Sequence, residues 1–126
     1  MKRKIKILIA EDEAINALSM QRALTMSGYK VCELISTGEE AVEVAKLEKP
    51  DLVIMDIILN GSVNGIEAAR EIRSRSDIPI LFITGYDERK LIQQIKSIPS
   101  STYLIKPITP KVLISAITRA LYNENK

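Results

Sequence analysis

Polar side chains of complementary types follow four short apolar runs of the sequence. They are three carboxylates, one hydroxyl and one ammonium, namely Glu11, Asp12, Asp56, Thr84 and Lys106. Carboxylate oxygens are hard ligands that suit Mg²⁺, and a carboxylate can also act as a nucleophile that forms an acyl phosphate. The hydroxyl and the ammonium could bind the oxygens of a phosphoryl group. The set therefore indicates phosphoryl chemistry assisted by a divalent cation.

The composition excludes other chemistries, because the 126 residues include no histidine and a single cysteine, Cys32. Without histidine there is no imidazole acid–base catalysis, no Ser-His or Cys-His nucleophile pair and no His-ligated metal site. Cys32 alone cannot form an internal disulfide or a Cys-rich zinc site, and we interpret it as a small apolar residue that is buried or half-buried.

Charge and hydropathy narrow the classes of partner. The 18 Lys and Arg against 16 Asp and Glu give a net charge of +2, with no basic stripe for nucleic acid. The longest apolar runs are four to five residues, too short for a membrane span or for the apolar region of a signal peptide. We expect a cytoplasmic, reduced protein that binds neither nucleic acid nor a membrane directly.

Short apolar runs alternate with amphipathic stretches along the chain. The runs predict five strands, at residues 5–10, 31–35, 52–55, 80–83 and 103–105, the second an edge strand because Glu33 interrupts it. Apolar residues at three- and four-residue steps predict five helices, at about 14–26, 39–47, 65–72, 87–98 and 110–121. Gly28 is placed to end the first helix. The alternation is typical of an α/β doubly wound parallel sheet, so the polar residues at the carboxyl ends of its strands should share one edge.

The loop after the first strand excludes nucleotide and flavin sites. A loop that binds phosphate with backbone N–H groups is rich in glycine. Here the loop is AEDEA (residues 10–14), which repels anions and attracts a cation. This argues against a Rossmann site, a P-loop and an FMN site.

Five segments resemble the receiver domain of two-component response regulators. They are ILIAEDE (7–13), DLVIMDI (51–57), GIEAAREIR (65–73), PILFITGY (79–86) and YLIKPIT (103–109). The resemblance implies one receiver domain over residues 1–126, with a core at about 4–121. It also implies the flavodoxin-like fold, a five-stranded parallel sheet in the order 2-1-3-4-5 with five helices.

The resemblance assigns a role to each polar residue. Asp56 would be the phosphoacceptor, with Thr84 and Lys106 contacting the phosphoryl group. Thr84 and Tyr103 would form a conformational switch, and the bond before Pro107 would be cis.

The same resemblance implies a Mg²⁺ site, which Mn²⁺ could also occupy. Asp12 and Asp56 would bind the ion directly and Glu11 would act through a water molecule. The backbone carbonyl of Ile58 would be a further ligand.

The function implied is a phosphorylation switch in a two-component phosphorelay. A histidine kinase or histidine phosphotransfer protein would phosphorylate Asp56, and the surface from helix 4 to helix 5 (about 87–121) would change. The domain would be regulatory and not a turnover enzyme, with an unknown output partner.

Two alternatives remain open. One is a scaffold or binding module of the same fold that is never phosphorylated. The other is a Mg²⁺-dependent phosphatase with an aspartate nucleophile after strand 1, although such enzymes use D-x-D where this chain has Glu11-Asp12-Glu13.

One stretch departs from the family pattern. DIILNGSVNG (56–65) is one residue longer than the commonest form, and it has Asn60-Gly61 in place of the usual proline. We expect a reshaped loop beside an intact site.

Overall fold

A computed structural model describes residues 3–122, except for the side chain of Tyr86. Within that range five parallel strands form one sheet in the order β2-β1-β3-β4-β5. The strands are β1 Lys6–Ala10, β2 Lys30–Ile35, β3 Leu52–Asp56, β4 Ile80–Thr84 and β5 Ser101–Ile105. The helices are α1 Ala14–Met26, α2 Gly38–Glu48, α3 Gly65–Arg73, a 3₁₀ helix Tyr86–Leu91, α4 Ile92–Lys96 and α5 Pro110–Tyr122. The predicted flavodoxin-like order and the edge position of β2 are confirmed.

The sheet is covered on both faces, which explains the continuous apolar runs. Successive residues of a strand point to opposite faces, so Leu8 packs with α2 and α3 while Ile7 and Ile9 pack with α1 and α5. All of β3 and β4 is buried. Burying each apolar side chain of these strands stabilises the fold by about 1.5–3 kcal/mol. Within residues 3–122 no helix has the length and apolar character of a membrane span.

Helix α1 ends as the sequence predicts. The Gly28 N–H donates to the Thr25 carbonyl at 3.1 Å and the Tyr29 N–H donates to the Leu24 carbonyl at 3.0 Å. This pair of bonds is a Schellman motif, with Gly28 at φ +93° in the left-handed position. The turn directs the chain into β2.

The fourth helix differs from the prediction. The expected single helix over 87–98 is a 3₁₀ helix followed by the five-residue α4. The Glu88 N–H donates to the Gly85 carbonyl at 3.0 Å, and the Glu88 carboxylate accepts from the Gly85 N–H at 2.6 Å. These bonds span three residues, so they stabilise the tighter helix at its start.

The connection from β3 to α3 is held tightly at its end. The Gly65 N–H donates to the Ile57 carbonyl at 2.8 Å. Asn64 and Glu67 form a capping box, each side chain accepting from the backbone N–H of the other. A Cβ atom on Gly65 would clash with the Asp56 carbonyl oxygen. The start of α3 therefore packs directly against the residue that ends β3.

Candidate functional site

The predicted carboxylates converge at the carboxyl edge of the sheet. Ala10 of β1 is paired with Met55 of β3, so the residues that follow, Glu11 and Asp56, lie side by side. One oxygen each from Glu11, Asp12 and Asp56 lies within 4.8 Å of the others. The geometry thus brings together the three acids that the strand ends predicted.

Lys106 reaches this cluster from the end of β5. Its backbone N–H donates to the Thr84 carbonyl at 2.8 Å, which continues the pairing of β5 with β4. Its Nζ donates to Asp56 Oδ2 at 3.1 Å and lies 3.9 Å from Glu11 Oε1. The peptide bond from Lys106 to Pro107 is cis. The ammonium of Lys106 therefore pairs with two buried carboxylates, those of Asp56 and Glu11.

Burial shifts the ionisation of the cluster. Glu11 and Asp56 are each only 4% exposed. The pKa of Glu11 is raised to about 7, mainly by loss of solvent and also by the neighbouring charge of Asp56, while the Glu13 N–H and Lys106 act to lower it. Burial also raises the pKa of Asp56, although Lys106 opposes this. Burial lowers the pKa of Lys106, but the carboxylates outweigh burial and the net shift is upward. The cluster has more negative charge than its one ammonium can neutralise.

The donor set fits a hard divalent cation. Glu11 Oε2 accepts from the Glu13 N–H at 3.1 Å, whereas Glu11 Oε1 is buried without a hydrogen-bond partner among the described residues. An unsatisfied buried oxygen is costly, and a cation would satisfy it. Three carboxylates offer the oxygen ligands that Mg²⁺ and Mn²⁺ take. The Ile58 N–H donates to Asp56 Oδ1 at 3.3 Å, so the Ile58 backbone lies beside the same site.

Within residues 3–122, neither of the two predicted switch residues forms a side-chain hydrogen bond with the carboxylate cluster. Thr84 is fully buried, and its hydroxyl donates to the Gly85 carbonyl at 3.3 Å. It follows Ile83, which is paired with Asp56 in the sheet. Tyr103 is partly buried and packs against the core that includes α3 and α4. Among the described residues, the Thr84 hydroxyl has only this long hydrogen bond to a backbone acceptor.

Sequence reasoning missed several residues around the loop after Asp56. The pattern Asn64-x-x-Glu67 is a capping signal that could have been recognised. Glu39 Oε2 accepts from the Ser62 N–H at 3.3 Å and from the Ser62 hydroxyl at 2.8 Å. No local pattern predicts that contact, because the two residues are 23 positions apart and both are exposed.

Known proteins share both the sequence and the fold. Residues 7–118 match the family model described as the response regulator receiver domain. The transcriptional regulatory protein PdtaR of Mycobacterium tuberculosis is 40% identical over 116 residues, which cover 92% of this chain and 56% of that protein. The probable transcriptional regulator ycf27 of Pyropia yezoensis is 34% identical over 126 residues, covering 98% and 50%. The chain spans about half the length of these curated relatives.

Two solved structures illustrate the similarity of fold. A response regulator receiver protein from Sinorhizobium medicae superposes with a TM-score of 0.85 at 32% identity, over 98% of each chain. The REC domain of AraT, a response regulator from Geobacillus stearothermophilus, gives a TM-score of 0.87 at 26% identity, over 96% of this chain and 95% of that one.

Proposed function

The chain belongs to the response regulator receiver domain family of two-component signalling, and we propose that its Asp56 receives a phosphoryl group from a phosphohistidine of a partner protein. The observation that supports this best is the convergence of three carboxylates and Lys106 at one edge of the sheet. These 126 residues contain no histidine, so the phosphohistidine lies outside them, in a histidine kinase or a histidine phosphotransfer protein.

The transfer would exchange one bond to phosphorus for another. An oxygen of the Asp56 carboxylate attacks phosphorus, and the bond between phosphorus and the donor imidazole breaks. The electron pair of that bond returns to the imidazole nitrogen, which takes up a proton from solvent. Lys106 already lies 3.1 Å from Asp56 Oδ2 and would bind an oxygen of the incoming group. Such transfers depend mainly on positioning and charge neutralisation.

The divalent cation would be held by this chain's own oxygens. We propose Asp12 and Asp56 as direct ligands, Glu11 as a ligand through water and Ile58 as a ligand through its carbonyl. When bound, Mg²⁺ neutralises charge on the phosphoryl oxygens. Glu11 Oε1, which is buried and accepts no hydrogen bond within residues 3–122, supports a cation here.

The output would be a shift between two conformations of one surface. A phosphoryl group on Asp56 offers acceptors that favour movement of the Thr84 hydroxyl away from the Gly85 carbonyl. We propose that Tyr103 follows this movement and that the surface formed by α4, β5 and α5 changes with it. The short α4 and the 3₁₀ helix before it support this, because they contain few helical hydrogen bonds.

The organisation of the chain completes the proposal. Residues 1–126 form one receiver domain, with a core at about 4–121, that acts in the cytoplasm and takes up one phosphoryl group without turnover. The match over residues 7–118 supports the domain assignment. The output partner is a protein or domain of unknown identity.

The test is intact mass spectrometry after incubation with Mg²⁺ and acetyl phosphate. The wild-type chain should gain one phosphoryl group and Asp56→Asn should gain none. Asp51→Asn, a matched change at the other end of the same strand, should behave as wild type. No adduct on the wild-type chain with any phosphodonor would contradict the proposal.

The same assay separates the alternatives. A scaffold that is never phosphorylated would show no adduct and would bind its partner equally well as Asp56→Asn. A phosphatase would release more than one equivalent of phosphate from a phosphate ester. The arrangement of Lys106 on Asp56 favours the phosphoacceptor.

A further inference from the structure

The loop between β3 and α3, residues 57–64, is fastened to the start of α2. The Asn60 N–H donates to the Ser36 carbonyl at 3.3 Å, and Asn60 forms an isolated parallel bridge with Thr37. Two residues later, Ser62 donates both its N–H and its hydroxyl to Glu39 Oε2. This is the stretch in which the sequence departs from the family pattern.

We propose that Glu39 is a positioning residue for the cation site, because it holds the loop that carries the Ile58 carbonyl. The inference rests on the proposed function, since it assumes that the carboxylate cluster binds Mg²⁺. It assigns a role to a residue on α2, an element that supplies no ligand in that proposal.

The position of Ile58 depends on anchors at both sides of it. On one side the Ile57 carbonyl accepts from the Gly65 N–H at 2.8 Å. On the other side Leu59 is buried and Asn60 is bonded to Ser36. The Ile58 side chain itself is 52% exposed, so packing of that side chain does little to hold the backbone. The Ile58 backbone must therefore be held in place by the hydrogen bonds of the neighbouring residues.

The Glu39 contact is specific to this loop shape. Gly61 has a φ of +89°, which favours glycine, and a Cβ atom there would lie 2.7 Å from Glu39 Oε1. The Glu39 carboxylate thus sits against the Gly61 backbone while it accepts both Ser62 donors. The hydrogen bond from the Ser62 hydroxyl is also the first cause of a lowered pKa of Glu39. An ionised carboxylate makes stronger hydrogen bonds than a neutral acceptor.

Mg²⁺ titration by isothermal calorimetry of the full chain tests the inference. Glu39→Ala should raise the dissociation constant for Mg²⁺ about three- to tenfold, less than the roughly 10–100-fold typical of a residue that bonds a metal ligand directly. Glu39→Gln keeps an acceptor oxygen and should restore most of the affinity. Glu43→Ala is the control, since the Glu43 side chain is exposed on the same helix and forms no hydrogen bond or ion pair within residues 3–122.

A second variant approaches the contact from the loop. Ser62→Ala should weaken Mg²⁺ binding less than Glu39→Ala, because the Ser62 N–H remains. The double variant should be no weaker than Glu39→Ala, since both changes remove one contact. Thermal melts without Mg²⁺ should show that all variants are folded.

The outcomes separate the two claims. Equal Mg²⁺ affinity of wild type, Glu39→Ala and Ser62→Ala would overturn the positioning role and leave the phosphoacceptor proposal standing. Equal weakening in Glu39→Ala and Glu43→Ala would also overturn it, since the effect would then be general charge. A wild-type chain that binds no Mg²⁺ would overturn both.

Discussion

Two aspartates flank the same buried strand, and the fold treats their charges in opposite ways. Asp51 precedes β3 and Asp56 ends it. The Asp51 carboxylate accepts from the Arg3 guanidinium at 2.7 and 2.8 Å and from the Lys6 N–H at 2.8 Å. The hydrogen bond from Arg3, with that from the Lys6 N–H, lowers the pKa of Asp51.

Asp56 has the opposite balance. It is buried, shares its one ammonium with Glu11, and has a raised pKa because burial outweighs Lys106. A carboxylate whose charge is fully paired stabilises the fold. A carboxylate whose charge is only partly compensated retains the capacity to bind a charge that arrives later. The two ends of β3 thus differ in charge compensation: the Asp51 carboxylate is paired, whereas the Asp56 carboxylate can still bind a further cation.

Added Mg²⁺ should give the largest contrast between the two edges of the sheet. At 100 times its dissociation constant it should stabilise the wild-type chain by about 2.7 kcal/mol. Asp51→Asn should gain the same amount, because its site is remote, whereas Asp56→Asn should lose most of the gain. Thermal melts with and without Mg²⁺ measure this stabilisation. If Mg²⁺ stabilised both variants equally, the distinction between Asp51 and Asp56 would be contradicted.

Without metal, the same pair of substitutions should act with opposite signs. Asp56→Asn should raise the free energy of unfolding by about 1 kcal/mol, since it relieves repulsion between buried acids. Asp51→Asn should lower it by about 1 kcal/mol, since it weakens hydrogen bonds made to a charged acceptor. Urea unfolding in buffer with a chelator gives both values. Destabilisation by Asp56→Asn would mean that Lys106 already compensates its charge.

The pH dependence of stability should show the smallest effect. The lowered pKa of Asp51 contributes stability that is present above the unfolded pKa of about 3.9 and is lost as pH falls through the folded value. The raised pKa of Asp56 contributes stability that is present below about 3.9 and is lost as pH rises through its folded value.

Unfolding between pH 3 and 6 in chelator would resolve these two slopes. Asp51→Asn should flatten the rise of stability with pH by about 1 kcal/mol or less, because the Arg3 pair is solvated. Asp56→Asn should remove a contribution to the free energy of unfolding that falls as pH rises. If the contributions of Asp51 and Asp56 both rose or both fell with pH, the opposite pKa shifts of the two residues would be contradicted.

Features set by burial could be predicted from the sequence. Strands covered on both faces require unbroken apolar runs, so β3 and β4 were located to within a residue. The rule that parallel strands present their carboxyl ends at one edge then correctly predicted that Glu11, Asp12 and Asp56 meet.

Features set by single polar contacts could not be predicted in the same way. Leu91, Ile92, Ile95 and Ile98 have helical spacing, yet the bonds between Glu88 and Gly85 begin that segment as a 3₁₀ helix. The direction of the Thr84 hydroxyl and the lack of a hydrogen bond to Glu11 Oε1 within residues 3–122 depend on side-chain torsions that no pattern encodes. The contact of Glu39 with Ser62 joins exposed residues, for which hydrophobic periodicity gives no signal.

The close approach of Gly65 to the Asp56 carbonyl has a consequence for how variation in this domain should be read. Any side chain at position 65 would push on the main chain of Asp56. In a saturation mutagenesis screen for signalling, position 65 should therefore be as intolerant as Asp56 itself, although glycine contributes no reactive group. Loss of signalling on substitution of Gly65 would reflect the close packing of the end of β3 against the start of α3. It could easily be misinterpreted as evidence that position 65 takes part in the reaction.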